Sequence, residues 1–177
     1  MPASAIYRFR QGLYDIPGVK DNVVIAFSGT LKTRHEAITP NTATPYIAAF
    51  TDLRSGPVVV EVPAATEKAI LYGQVVDAWQ STIAGVGPSG ADKGKGGKYL
   101  FIPPGYKDVI PDGYFPIHST SYRLALAFRS VPGKGASQAD AYAYTKTMKM
   151  YPLSEAGNPK PTQFVDGIPH AIFTLPY

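Results

Sequence analysis

The sequence predicts a mainly β protein, a two-sheet sandwich or jelly-roll-like domain with one helix near residues 137–150. Three observations carry this. Glycine and proline number 17 each in 177 residues, above the usual shares of about 7% and 5%. They are spread without a period, so they read as turns between short elements and not as a repeat. Between them lie short runs that are β-branched or alternate apolar with polar residues. One stretch alone carries helix signals at both ends.

Taken in order, residues 1–12 alternate loosely, with Ile6, Arg8 and Arg10 against Tyr7 and Phe9, and are expected as an edge strand. Residues 22–27 (NVVIAF) form a second strand. Next comes a polar elbow, in which Pro40 and Pro45 bracket Asn41, Thr42 and Thr44. Proline fixes φ and disfavours helix before it, so the elbow is rigid and its short polar side chains can bond nearby backbone. The turn Arg54-Ser55-Gly56-Pro57 leads into Val58–Val62, a β-branched strand. A short connection then reaches a long strand over 69–80, expected to pair antiparallel with Val58–Val62. Gly73 within it implies a bulge or a close backbone approach.

Residues 85–97 are a Gly/Lys loop, and 90–97 are expected to be the most mobile internal segment. Strands come next at 98–102, 114–118 and 122–129, separated by hard turns at Pro103-Pro104-Gly105 and Pro111-Asp112-Gly113. The last is amphipathic: Tyr122, Leu124, Leu126 and Phe128 share one face, and Arg123, Ala125, Ala127 and Arg129 the other. Ser137 with Asp140 three residues on forms a capping-box variant that starts the helix, and Lys146 and Lys149 suit its C-terminal end. From Pro152 the chain is rich in proline and glycine. The domain is therefore placed at 1–155, with 156–177 as a tail or linker.

Composition removes several functions. Cysteine is absent, which excludes thiol catalysis, thiolate metal sites and disulfides. Net charge is +4 without a clustered Lys/Arg stripe, so nucleic acid is not an expected partner. No apolar run approaches membrane-spanning length, so no membrane partner is expected either. His35, His118 and His170 show no metal-ligand spacing, and neither a metal nor a cofactor is expected. Gly85-Val86-Gly87-Pro88-Ser89-Gly90 matches the dinucleotide-binding glycine pattern, but residues 91–97 make a poor helix, and the motif needs one there. Asp52 and Glu61 flank a turn and could face one another; paired structural carboxylates are the plainer reading. Ala125 and Ala127, between Arg123 and Arg129, would leave room above a sheet with a guanidinium at its rim; an exposed face carrying two arginines is the plainer reading.

Five blocks in order carry a resemblance across about residues 7–155: TPNTATPY, DLRSGPVVVEVP, GQVVDAWQ, GGKYLFIPPGY with PDGY, and SYRLALAFR. They resemble the bacterial family called domain of unknown function 1254. The resemblance implies a jelly-roll-like β domain, usually exported to the periplasm or secreted, and commonly followed by a second β domain of family 1214. Met1-Pro2-Ala3-Ser4 begins no signal peptide and the chain stops at Tyr177, so the expectation is a shortened member or one domain of a pair. The shared blocks contain Asn41, Thr42, Tyr46, Asp52, Asp77, Trp79 and Arg129.

The expected function is recognition of a small polar or carbohydrate-like ligand in a cleft lined by Asn41, Thr42, Tyr46, Trp79 and Arg129. One alternative is a hydrolase using Asp77 and His118 for acid–base chemistry. Another is a structural module that packs on a second β domain or forms a homo-oligomer.

Overall fold

The computed structural model describes residues 2–31 and 43–170. Ten strands form two sheets facing one another, with a helix at each flank. The strands are β1 (Val23–Ala26), β2 (Tyr46–Asp52), β3 (Val58–Val62), β4 (Ala69–Asp77), β5 (Thr82–Val86), β6 (Gly97–Ile102), β7 (Phe115–His118), β8 (Arg123–Pro132), β9 (Lys149–Pro152) and β10 (Gln163–Asp166). The helices are α1 (Pro2–Tyr14) and α2 (Gln138–Thr145). One sheet has six strands in the order β10-β1-β2-β8-β4-β5, the other four in the order β7-β6-β3-β9. The mainly β sandwich is as the sequence predicts.

The core between the sheets results from strand alternation. Ile47, Ala49, Leu71, Val75, Leu124, Leu126 and Phe128 point inward from the six-stranded sheet, and Val58, Val60, Val62, Tyr99 and Phe101 from the other. The outer faces are covered in part. Val59, Leu100, Ile102 and Tyr151 lie under Tyr106, Ile110, Tyr114 and Leu153. Ile25, Ala48, Phe50 and Ala125, on the outside of the six-stranded sheet, lie under Ile6, Phe9 and Leu13 of α1 and under Ile16 just after it.

Several expectations are corrected. Residues 2–12 are helix and not an edge strand: Ile6, Phe9 and Leu13 recur at helical spacing and bury one stripe. The described residues therefore contain two α-helices. β3 and β4 lie in different sheets, so the expected hairpin does not form. The connection crosses the sandwich, held where the Tyr144 hydroxyl donates to the carbonyls of Pro63 and Ala64 and the Thr66 hydroxyl to that of Ala69. The long strand over 69–80 ends at Asp77 and turns back into β5. The helix over 137–150 keeps its predicted capping box but ends at Thr145, and Lys149 joins β9. The Pro/Gly-rich stretch after 155 contains β10, which pairs parallel with β1, so that part of it is sheet.

Segment 90–97 is likewise not a loose loop. Asp92 is buried, and its carboxylate accepts from the backbone N–H groups of Gly87 and Gly94 and from the Tyr99 hydroxyl. Three further backbone bonds, Gly90 to Gly87, Lys93 to Gly90 and Lys95 to Asp92, close the turn. A buried aspartate satisfied by backbone donors is an anchor, because freeing the loop would strand a charge away from water.

Candidate functional site

The outer face of the six-stranded sheet divides in two. α1 seals the half nearest β1, and the half over β8, β4 and β5 stays open. Register explains the open half row by row. Tyr46, Arg129 and Tyr72 stand directly opposite one another on β2, β8 and β4. The next outward row runs Ala48, Ala127, Gln74 and Gly85. Ala127 and Gly85 have little or no side chain, so the face sinks there into a cleft of 460 Å³. Thr82 and Ser89 complete the rim on the β5 side. This volume falls within the range of about 300–1,000 Å³ usual for small-molecule sites.

Gly73 brings the strands together beneath the cleft. A Cβ there would collide with the Ala127 carbonyl oxygen and sit 2.7 Å from the Phe128 Cα. The close backbone approach expected at this glycine is therefore real, and β8 is the partner. The rim loop is fixed in turn. Gly87 and Gly90 pack against backbone of β4 and β5, and the Tyr99 hydroxyl bridges the Gly85 carbonyl and Asp92. Burial, then the Asp92 carboxylate, pushes the Tyr99 phenol well above its ordinary range, so it stays a donor at any physiological pH.

The polar groups of the cleft are sparse. The Arg129 guanidinium carbon lies 5.0 Å from the Tyr46 ring centroid, and Nη2 lies 3.5 Å from the Tyr46 hydroxyl. Arg10 pairs with Asp21, and Arg54 and Arg123 with Asp52; among the described residues no carboxylate pairs with Arg129. Tyr72 is 50% exposed. The Thr82 hydroxyl donates to the Gln74 side-chain oxygen at 2.7 Å, and the Gln74 amide nitrogen is a further donor.

Of the residues expected at the site, Tyr46 and Arg129 come together in the cleft. Asn41 and Thr42, with His35, lie outside the described residues. Trp79 is in the β4–β5 turn, 63% exposed. Its neighbour Asp77 pairs across with Leu124, five residues along β8 from Arg129, roughly 17 Å at about 3.4 Å per residue. Trp79 thus belongs to the far end of the sheet. Asp77 is buried facing the sandwich interior, and its oxygens accept from the N–H groups of Trp79 and Ser81 and from the Thr120 hydroxyl. It holds the turn. His118 ends β7 in the other sheet, exposed, and among the described residues no hydrogen bond joins it to Asp77. Asp52 and Glu61 do not face one another: Asp52 pairs with Arg54 and Arg123, Glu61 with Lys149, Lys98 and the Tyr151 hydroxyl. The glycine pattern at 85–90 opens no helix and supplies Gly85 and Ser89 to the cleft instead.

Tyr72, Gln74, Thr82 and Ser89 line the cleft beyond the residues that the sequence singles out. A signal for the first two exists: alternation puts Tyr72 and Gln74 on the outer face of β4, and the pairing of β4 with β8 sets them beside Arg129 and Ala127. That pairing is not written in either strand. Among the described residues no group of three or more His, Asp or Glu side chains could hold a metal ion. No described helix is long and apolar enough to cross a membrane.

No curated protein sequence matches the chain. The chain is similar in fold to the crystal structure of the VPA0106 protein from Vibrio parahaemolyticus, with a TM-score of 0.63 and 19% identity. The match covers 94% of this chain and 39% of that one, so the chain spans well under half the length of that protein. A sequence-family model described as a protein of unknown function, DUF1254, matches residues 22–152. That match takes in both sheets apart from β10, and all of the cleft. The chain belongs to the DUF1254 family.

Proposed function

We propose that the domain binds a small polar ligand in the cleft over β8, β4 and β5. The observation that carries this is the interruption of an otherwise covered sheet face. One half is sealed by α1, while the other is hollowed where Ala127 and Gly85 flank Gln74, and is rimmed by Arg129, Tyr72, Thr82 and Ser89. An exposed face with no role is ordinarily convex and carries long solvated side chains. Here small residues make a hollow and hydrogen-bonding side chains converge on it, the arrangement of a ligand pocket.

Filling the hollow tests the reading. Ala127 is exposed on a strand, and phenylalanine suits strands, so Ala127→Phe should fold with little change in melting temperature. The full chain is screened by thermal shift against neutral sugars, sugar acids and short mono- and dicarboxylates, and hits are confirmed by calorimetry. The expected result is at least one hit that Ala127→Phe abolishes. Gln74→Ala, a milder change on the same row, should weaken it. No hit in the set, or a hit that binds Ala127→Phe as well as the native chain, overturns the reading.

A further inference from the structure

We infer that the ligand class of the cleft is a carboxylated sugar, a free uronic acid or a glycan end that carries one. This rests on the reading of the cleft as a small-ligand site. Arg129 is the first ground. It stands between Tyr46 and Tyr72 in one row across three strands, its guanidinium steadied by the Tyr46 ring at 5.0 Å. Arg10, Arg54 and Arg123 each lie beside an aspartate, whereas Arg129 has no such partner among the described residues. A planar, always-charged fork held over an open cleft matches a carboxylate bidentately.

Tyr72 is the second ground. Half its surface is exposed beside Arg129, and a phenol ring offers an apolar face with a polar tip. A pyranose has the complementary form, an apolar C–H face with hydroxyls at its rim. The third ground is the next row, where Gln74, Thr82 and Ser89 supply neutral donors and acceptors. Among the described residues no acidic side chain lines the cleft.

Each simpler ligand leaves part of this set unused. A short dicarboxylate reaches Arg129 but gives Tyr72 and the polar row nothing to hold. A neutral sugar fills the row and stacks, but leaves the guanidinium without a partner. A uronate uses all three, and the net charge of +4 favours its approach.

The test is calorimetric titration of the full chain with D-galacturonate, D-glucuronate, D-galactose and succinate at pH 7. Native protein should bind one of the uronates at least about tenfold more tightly than either galactose or succinate. Arg129→Gln should bring the uronate down to the level of galactose. Tyr72→Val, conservative for a strand, should weaken sugar and uronate together and leave succinate unchanged. Equal affinity for galactose and both uronates overturns the inference, as does succinate binding as well as a uronate. Either of those results would still fit a small-ligand site. Loss of all binding in Ala127→Phe combined with no uronate preference would sink the acid-sugar assignment and keep the cleft.

Discussion

Thr51 and Asp77 show how differently two buried polar residues on one row of a sheet can behave. Both pair with Leu124, Thr51 from β2 and Asp77 from β4, and they are 1% and 3% exposed. Asp77 is satisfied by two backbone N–H groups and a hydroxyl, whereas the Thr51 Oγ1 has no partner among the described residues. An unsatisfied buried hydroxyl keeps its desolvation penalty, and valine has nearly the same shape. Thr51→Val should therefore be neutral or stabilising, by up to about 1–2 kcal/mol. Asp77→Ala should destabilise by about 1–3 kcal/mol, because it strands the Trp79 and Ser81 N–H groups in the β4–β5 turn. Chemical denaturation of both variants measures the contrast. A stable Asp77→Ala protein would show that the turn does not depend on the carboxylate, and would reopen a chemical role for it.

At the scale of elements, α1 decides how much of the sheet is available. It lies outside the residues matched by the family, yet it buries Leu13 to 1% against Phe50, Ala48 and Ala125, and the bend after it buries Ile16 to 2%. Arg10 and Tyr14 add a polar latch. The guanidinium sits 3.9 Å from the Tyr14 ring, and both groups bond Asp21 just before β1. Leu13→Ala should cost about 2–5 kcal/mol, the range for truncating a buried leucine. It should also raise proteolytic sensitivity in the first 14 residues. A loss under about 1 kcal/mol would mean that the helix is only resting on the sheet. The same element shows where sequence reasoning fails. Arg8 and Arg10 between Tyr7 and Phe9 imitate a period of two, while the stripe Ile6, Phe9, Leu13 has the helical period and is the stronger signal. Alternation within β8 and the Ser137–Asp140 cap are both legible, because each is a local property. Which sheet β3 and β4 join is not, since it depends on Tyr144 and Thr66 fixing the connection between them. The cleft is half legible for the same reason. The face of Ala127 and Arg129 can be read along one strand, but Tyr72 and Gln74 arrive only through pairing with another.

For the whole molecule, the ionisable groups set a stability window whose edges can be given signs. The Arg54 side chain, with its backbone N–H, holds the Asp52 carboxyl low. Burial raises Glu61 and Asp166, but the Tyr151 hydroxyl and Lys149 outweigh it for Glu61, and bonds from Ser28 and Ile168 for Asp166. Asp140, bonded by Ser137 and then Lys68, is lowered to about 2. A carboxylate depressed on folding contributes stability that is complete above its unfolded value, here 3.8 for Asp and 4.5 for Glu, and that is lost as pH falls through the folded value. The tyrosines act at the other edge. Burial, then Asp21, Asp92 and Glu61 respectively, raise Tyr14, Tyr99 and Tyr151 above their ordinary 10.0. The unfolded chain ionises first there, so stability is complete below 10.0 and falls as pH climbs past it. Melting temperature should accordingly be level through neutrality, decline below about pH 4.5 and decline again above about pH 10. Glu61 couples the two edges, because the carboxylate that Tyr151 and Lys149 hold low also holds the Tyr151 phenol high. Glu61→Gln should lower the neutral melting temperature and make both declines shallower. If the variant kept the native slopes at both ends, the strip that Glu61 forms across β3, β6 and β9 would have no part in the pH response.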